Sequence, residues 1–73
     1  MDYRTWSEEY FAEADRVRER LERLRREPPP QSRDEHLLRQ RRAAILYNMY
    51  LECLHTARLL AARALPEGGE ENA

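Results

Sequence analysis

The sequence predicts an all-α fold, an antiparallel hairpin of two helices that pairs with a second copy into a four-helix bundle. Apolar residues recur at helical spacing on both sides of one break, Pro28–Pro30, and no segment alternates as a β-strand does. With 73 residues, the chain is too short for a second domain and supplies only a marginal core. Its one cysteine cannot form an internal disulfide. Self-association is therefore the expected source of further stability.

The first helix is predicted over about residues 3–27. Thr5 and Glu8 have the spacing of a capping box, and Asp2 is a competing N-cap that would bring Tyr3 into the first turn. The prolines disfavour helical geometry at the residue before them, so the helix should end near Glu27. Its apolar and small residues form a seam of the coiled-coil type: Tyr3, Ser7, Tyr10, Ala14, Val17, Leu21 and Leu24.

The second helix is predicted over about residues 32–65, after a proline loop at 28–31. Ser32 and Glu35 form a second capping box, and Pro66 with the following glycines ends the helix. Together the two helices make residues 1–65 one hairpin domain. Residues 66–73, with three glutamates and two glycines, are expected to form a disordered acidic tail.

The apolar surface of the second helix is wider than one partner helix can cover. Its seam contains Ala43, Leu46, Tyr50, Cys53, Ala57, Leu60 and Ala64, and further apolar residues flank the seam on both sides. An exposed apolar surface of this size indicates an interface, with a second copy or with a different protein. We expect a homodimer whose interface residues are Leu38, Ile45, Leu46, Met49, Tyr50, Cys53 and Leu60.

The pairing of the two helices follows from where the chain reverses. Reversal about Pro29–Pro30 predicts that residue i lies opposite residue 60 − i, so that Val17 faces Ala43 and Tyr10 faces Tyr50. The aromatic start of the first helix then meets the alanine-rich end of the second. Large side chains opposite small ones favour this arrangement.

Arginine is concentrated near the loop. Residues 15–42 carry ten arginines and six acids, whereas residues 1–14 carry one arginine and four acids. Such a basic tip attracts nucleic acid or an acidic protein surface. Candidate contacts are Arg18, Arg25, Arg26, Arg33, Arg41 and Arg42. A competing interpretation is a solvated helix, in which Asp15–Arg18, Glu19–Arg23 and Glu22–Arg26 form ion pairs along the surface.

No catalytic group or cofactor site is predicted. The chain has no lysine, and its two glycines lie in the tail, which excludes a P-loop. Glu52 and His55 have the spacing of a di-iron bundle motif but lie opposite the seam, so no metal is expected. The sequence shows neither a transmembrane segment nor a signal pattern, and its lone thiol favours a cytoplasmic location.

These patterns together predict a small non-enzymatic protein–protein interaction module: an adaptor, a regulator or an inhibitor. It would self-associate through the apolar surface of the second helix. The alternative is a nucleic-acid-associated protein that uses the arginine-rich tip.

Overall fold

The computed structural model describes residues 2–65, so the predicted acidic tail lies outside the described residues. This part of the chain consists of two helices, α1 (Tyr3–Arg25) and α2 (Arg33–Arg63), and contains no strand. The helices lie antiparallel: Asp2 and Tyr3 share a cavity with Arg63 and Ala64, and the Arg39 guanidinium is 3.7 Å from the Glu27 carboxylate. The all-helical prediction is confirmed, and pairing into a four-helix bundle stays a prediction.

The start of α1 is capped by Asp2, whose carboxylate accepts a hydrogen bond of 2.8 Å from the Thr5 N–H. The expected capping box of Thr5 and Glu8 is therefore wrong, because Thr5 lies inside the helix. Asp2 was the competing cap, and it adds a turn that brings Tyr3 into α1. The helix ends at Arg25, two residues before the predicted end. Pro28 forces Glu27 out of helical geometry, and the Arg26 N–H closes the last turn on the Glu22 and Arg23 carbonyls.

The start of α2 is a capping box of the predicted kind. The Ser32 hydroxyl accepts a hydrogen bond of 3.1 Å from the Glu35 N–H. The Glu35 carboxylate reaches back to the N–H of Gln31, at 2.8 Å, one residue before the cap. The Glu35 N–H, which the helix leaves without a backbone partner, and the Gln31 N–H of the loop are thereby satisfied. The helix ends at Arg63, with Ala64 as its C-cap.

The two helices contribute unequally to the core. From α1, residues Ser7, Ala14, Val17, Leu21 and Leu24 are buried, all of them members of the predicted seam. The buried Ser7 hydroxyl donates to the Arg4 carbonyl at 2.8 Å, so its polarity is satisfied within the helix. Of the 31 residues of α2, all within the described part of the chain, Ala57 alone is buried. The rest of its seam is half-buried: Ala43, Leu46, Tyr50, Cys53, Leu60 and Ala64.

The register of the hairpin differs from the prediction by about one heptad. Leu24 shares a groove with Leu46, and Glu27 pairs with Arg39. Tyr50, in turn, lines a groove with Leu21, so the expected pairing of Tyr10 with Tyr50, like that of Val17 with Ala43, is wrong. The aromatic start of α1 nevertheless still meets the alanine-rich end of α2, as the cavity shared by Tyr3 and Ala64 shows.

The proline loop explains this shift. An extended polyproline residue advances about 3.1 Å along the chain, whereas a helical residue advances about 1.5 Å. Three prolines in the extended conformation would advance the chain by about 9 Å, which is the rise of about six helical residues. The predicted register counts residues from Pro29–Pro30 and therefore gives an extended proline the same length as a helical residue. For this reason the first turns of α2 extend past the end of α1.

Candidate interaction surface

Large apolar side chains remain exposed on both flanks of the α2 seam. On one flank lie Leu38, Ile45 and Met49, of which Ile45 is 53% exposed. We call this side of the hairpin the Met49 face. The other flank carries Tyr47 (49% exposed), Leu51 and Leu65. We call this side the Tyr47 face.

The Met49 face contains a groove between the helices, of about 420 Å³. Its floor is apolar and is formed by Leu24 from α1 and by three residues of α2: Ile45, Leu46 and Met49. Charged residues of both helices and of the loop surround this floor: Arg20, Arg23, Glu27 and Arg42. We call it the arginine groove. Because Glu27 pairs with Arg39, the groove combines apolar area with a positive rim.

The Tyr47 face has a smaller groove, of about 180 Å³, whose apolar lining is Leu21, Tyr47 and Tyr50. The two tyrosine rings are tilted against each other, with centroids 6.3 Å apart. Arg18 and Glu22, which also line this groove, form an ion pair of 3.4 Å. Arg25 also lines this groove and has no acidic group within 4 Å among residues 2–65.

The predicted interface residues divide between two locations. Leu38, Ile45 and Met49 are exposed on the Met49 face. The other four, which are Leu46, Tyr50, Cys53 and Leu60, are half-buried in the seam. The second group is therefore engaged mainly in holding the hairpin together, and the first group is free to contact another molecule.

Cys53 lies half-buried in the seam as a free thiol. Loss of solvent around the sulfur raises the pKa of the Cys53 thiol, and the carboxylates of Glu13 and Glu52 raise it further. A protonated thiol is a weak nucleophile. Its surroundings therefore suit a packing role rather than a reactive one.

The candidate arginines at the tip are not equivalent. Arg18 and Arg26 both pair with Glu22, at 3.4 and 3.8 Å, and Arg18 also pairs with Asp15 at 3.9 Å. Within residues 2–65, the other four candidates have no acidic group within 4 Å: Arg25, Arg33, Arg41 and Arg42. Within residues 2–65 the expected ion pair between Glu19 and Arg23 does not form.

Sequence reasoning missed Arg20 and Arg23 as site residues, although the structure places both on the arginine groove. The signal was present in the spacing. Arg20 follows Glu13 by seven residues and Arg23 follows Arg16 by seven, so each pair shares one side of α1. Only the packing of α2 shows that this side borders Ile45 and Met49.

Glu52 and His55 are exposed, and the described part of the chain holds no group of three or more His, Cys, Asp or Glu side chains suited to a metal ion. Neither of the two described helices has an apolar stretch that could cross a bilayer.

The chain matches no protein-family model, and no curated protein or solved structure is significantly similar to it. Its function is therefore inferred from its own surfaces.

Proposed function

We propose that this protein is a small non-enzymatic interaction module that self-associates through the apolar surface of α2 into a four-helix bundle. One observation carries the proposal: α2 has 31 residues and buries one of them in the hairpin, while Ile45, Met49 and Tyr47 stay exposed beside its seam. A helix this apolar on both flanks is typical of a bundle in which it has more than one neighbour.

The energetics support association. Complete burial of an Ile or Met side chain contributes about 1.5–3 kcal/mol. In a two-fold dimer each such residue is buried twice, so Ile45 and Met49 together remove four exposed side chains from water. Within residues 2–65 the isolated hairpin buries five apolar residues, a small core for a folded domain. Dimerisation therefore supplies a large part of the stability.

A module of this kind acts by occupying a surface of another protein, as an adaptor, a regulator or an inhibitor. If a dimer covers one flank of α2, the other flank remains for that partner. Its half-buried, protonated Cys53 fits a reducing compartment such as the cytoplasm.

The test is the native mass in solution, measured by light scattering for the full chain and for variants. We expect the wild type to have twice the 8.8 kDa chain mass, and Ile45→Asp and Met49→Asp to dissociate it. The matched control is Asn48→Asp, which adds the same charge on the exposed side of α2 opposite the seam. A wild type that stays monomeric, or a dimer that survives both apolar substitutions, contradicts the proposal.

The alternative is a nucleic-acid-associated protein. One observation favours it: within residues 2–65, Arg25, Arg33, Arg41 and Arg42 lie near the tip without an acidic partner. Phosphates would take the place of those partners.

This alternative predicts that duplex DNA or RNA changes mobility with the protein at low salt, and that binding weakens steeply as salt rises. The double variant Arg41→Glu/Arg42→Glu should abolish the shift, whereas Arg58→Glu, far from the tip, should not. No mobility shift at low salt would show that the tip does not bind nucleic acid.

A further inference from the structure

We infer that the second copy docks antiparallel on the Met49 face, so that the N-terminal part of α1 in each protomer covers the arginine groove of the other. The inference rests on the self-association proposed above and adds the face, the orientation and the contacts. The inference follows from charged residues along α1 that have no partner of opposite charge within the hairpin.

The charges on this side of α1 are segregated by sign. Trp6 and Glu13 precede the groove residue Arg20 by fourteen and seven residues, so all three share one side of the helix. Glu9 and Arg16 precede Arg23 in the same way. The N-terminal half of this side is consequently acidic and aromatic, and the C-terminal half is basic.

Several of these charges have no partner in the hairpin. Glu13 and Arg16 pair with each other. Among residues 2–65, Glu9, Arg20 and Arg23 have no group of opposite charge within 4 Å. Both halves of this side thus expose charge that the other half could neutralise, but the two halves lie on one straight helix and cannot meet in one molecule.

The pattern is centred on a single point, between Ala14 and Asp15. Glu9 and Arg20 are equally distant from this point along the sequence, and so are Glu13 and Arg16, and Trp6 and Arg23. A two-fold axis through the point, perpendicular to α1, therefore places each of these residues opposite its complement in a second copy. The surface is complementary to itself in the antiparallel orientation.

Trp6 is the apolar anchor of this arrangement. Its side chain is 40% exposed in the hairpin. In the antiparallel dimer it lies opposite Arg23 of the partner subunit, at the end of the groove whose floor includes Ile45 and Met49. An arginine over an indole ring and an apolar floor beside it are both favourable surroundings for tryptophan.

A parallel dimer on the same face is unfavourable. It would bring the basic rims of both grooves together, with Arg20, Arg23 and Arg42 of each copy close to their counterparts, and like charges opposed in this way repel. The Tyr47 face offers less to a second copy. Its groove is smaller, 180 against 420 Å³, and Arg18 is already paired with Glu22.

The test is a charge exchange measured as the dimer dissociation constant, by light scattering or sedimentation at low salt. Each single reversal, Glu9→Arg or Arg20→Glu, changes two symmetric contacts and should weaken the dimer about tenfold or more. The double variant Glu9→Arg/Arg20→Glu restores both contacts with the signs exchanged, so its dissociation constant should return to within about threefold of the wild type. Circular dichroism verifies that every variant is helical.

The controls carry the same charge changes away from the Met49 face. Glu19→Arg and Arg58→Glu, both at exposed positions, should leave the dissociation constant within about threefold of the wild type. As a second readout, the emission of Trp6, the one tryptophan of the chain, should shift to shorter wavelength as the dimer forms.

The outcomes separate the two proposals. A wild type that does not self-associate shows that the proposed function is wrong. A stable dimer that tolerates both single reversals overturns the antiparallel arrangement and leaves self-association intact. A double variant as weak as the single ones shows that Glu9 does not face Arg20 of the partner subunit.

Discussion

At the scale of single residues, Asp2 decides where α1 begins. Its carboxylate accepts a hydrogen bond from the Thr5 N–H at 2.8 Å, at the positive end of the helix dipole. This bond to the backbone is the main reason why the pKa of Asp2 lies below its ordinary value of 3.8, with a smaller contribution from the Thr5 hydroxyl. The ionised form is thus the one that caps the helix.

The lowered pKa predicts a pH dependence. Because the folded state favours the carboxylate, the stabilisation by Asp2 is fully present above pH 3.8, the ordinary pKa, and is lost as the pH falls through the lowered one. Asn caps helices but does not titrate. As the pH falls from 6 to 2, the thermal midpoint of the wild type should therefore decrease more than that of Asp2→Asn. Circular dichroism measures both midpoints. A difference that is constant over this range contradicts the assignment.

At the scale of the helices, α1 supplies most of the core. Val17 is completely buried, and it lies in the middle of the α1 seam between Ala14 and Leu21. On α2 the one buried residue is Ala57, within the described part of the chain, so the contact between the helices is narrow. If two methyl groups are removed from so thin a core, few neighbouring side chains can move in to fill the space.

Val17→Ala is therefore expected to lower the free energy of unfolding by about 2 kcal/mol. The measurement is urea unfolding, with Leu37→Ala as the control, because Leu37 is 51% exposed and its truncation should change stability by less than about 0.5 kcal/mol. Equal effects of the two substitutions would mean that the seam of α1 is not the core.

Most of both seams could be predicted from the sequence because the spacing of three and four between Tyr3 and Leu24, and between Ala43 and Ala64, defines one side of a helix whatever lies opposite. Tyr3 and Tyr10 are the exceptions, since both are exposed at the start of α1. The register could not be predicted. The register depends on the distance that the proline loop spans along the helix axis, and the number of loop residues does not give this distance. The arginine groove was missed for the same reason, since only the true register brings Arg20 and Arg23 beside Ile45.

At the scale of the whole molecule, the hairpin is an electrical dipole with a basic loop end and an acidic end where α1 begins. The charge is distributed unevenly between residues 1–14, which include the start of α1, and residues 15–42, which contain the end of α1, the loop and the start of α2. In the proposed antiparallel dimer the two dipoles oppose each other. Association then stabilises the folded hairpin, and this stabilisation should be visible in thermal unfolding.

Because a dimer unfolds to two chains, its stability depends on concentration. Each tenfold increase in protein concentration should add about 1.4 kcal/mol per dimer and raise the thermal midpoint by roughly 4 °C. Calorimetry over a hundredfold range of concentration measures this. The Ile45→Asp variant is the control and should unfold at a midpoint independent of concentration. A wild-type midpoint that is equally independent would argue for a folded monomer.

The three prolines of the loop also determine which changes in loop length the hairpin tolerates. The seam repeats every seven helical residues, or about 10 Å, and the prolines together advance about 9 Å. Deletion of one proline would displace α2 by about 3 Å along α1. Side chains of the two seams would then collide instead of interlocking. Deletion of all three would slide α2 by nearly a full repeat, into the next position where the seams interlock. We therefore expect a single-residue change in loop length to destabilise the hairpin more than a change that moves α2 by a whole seven-residue repeat.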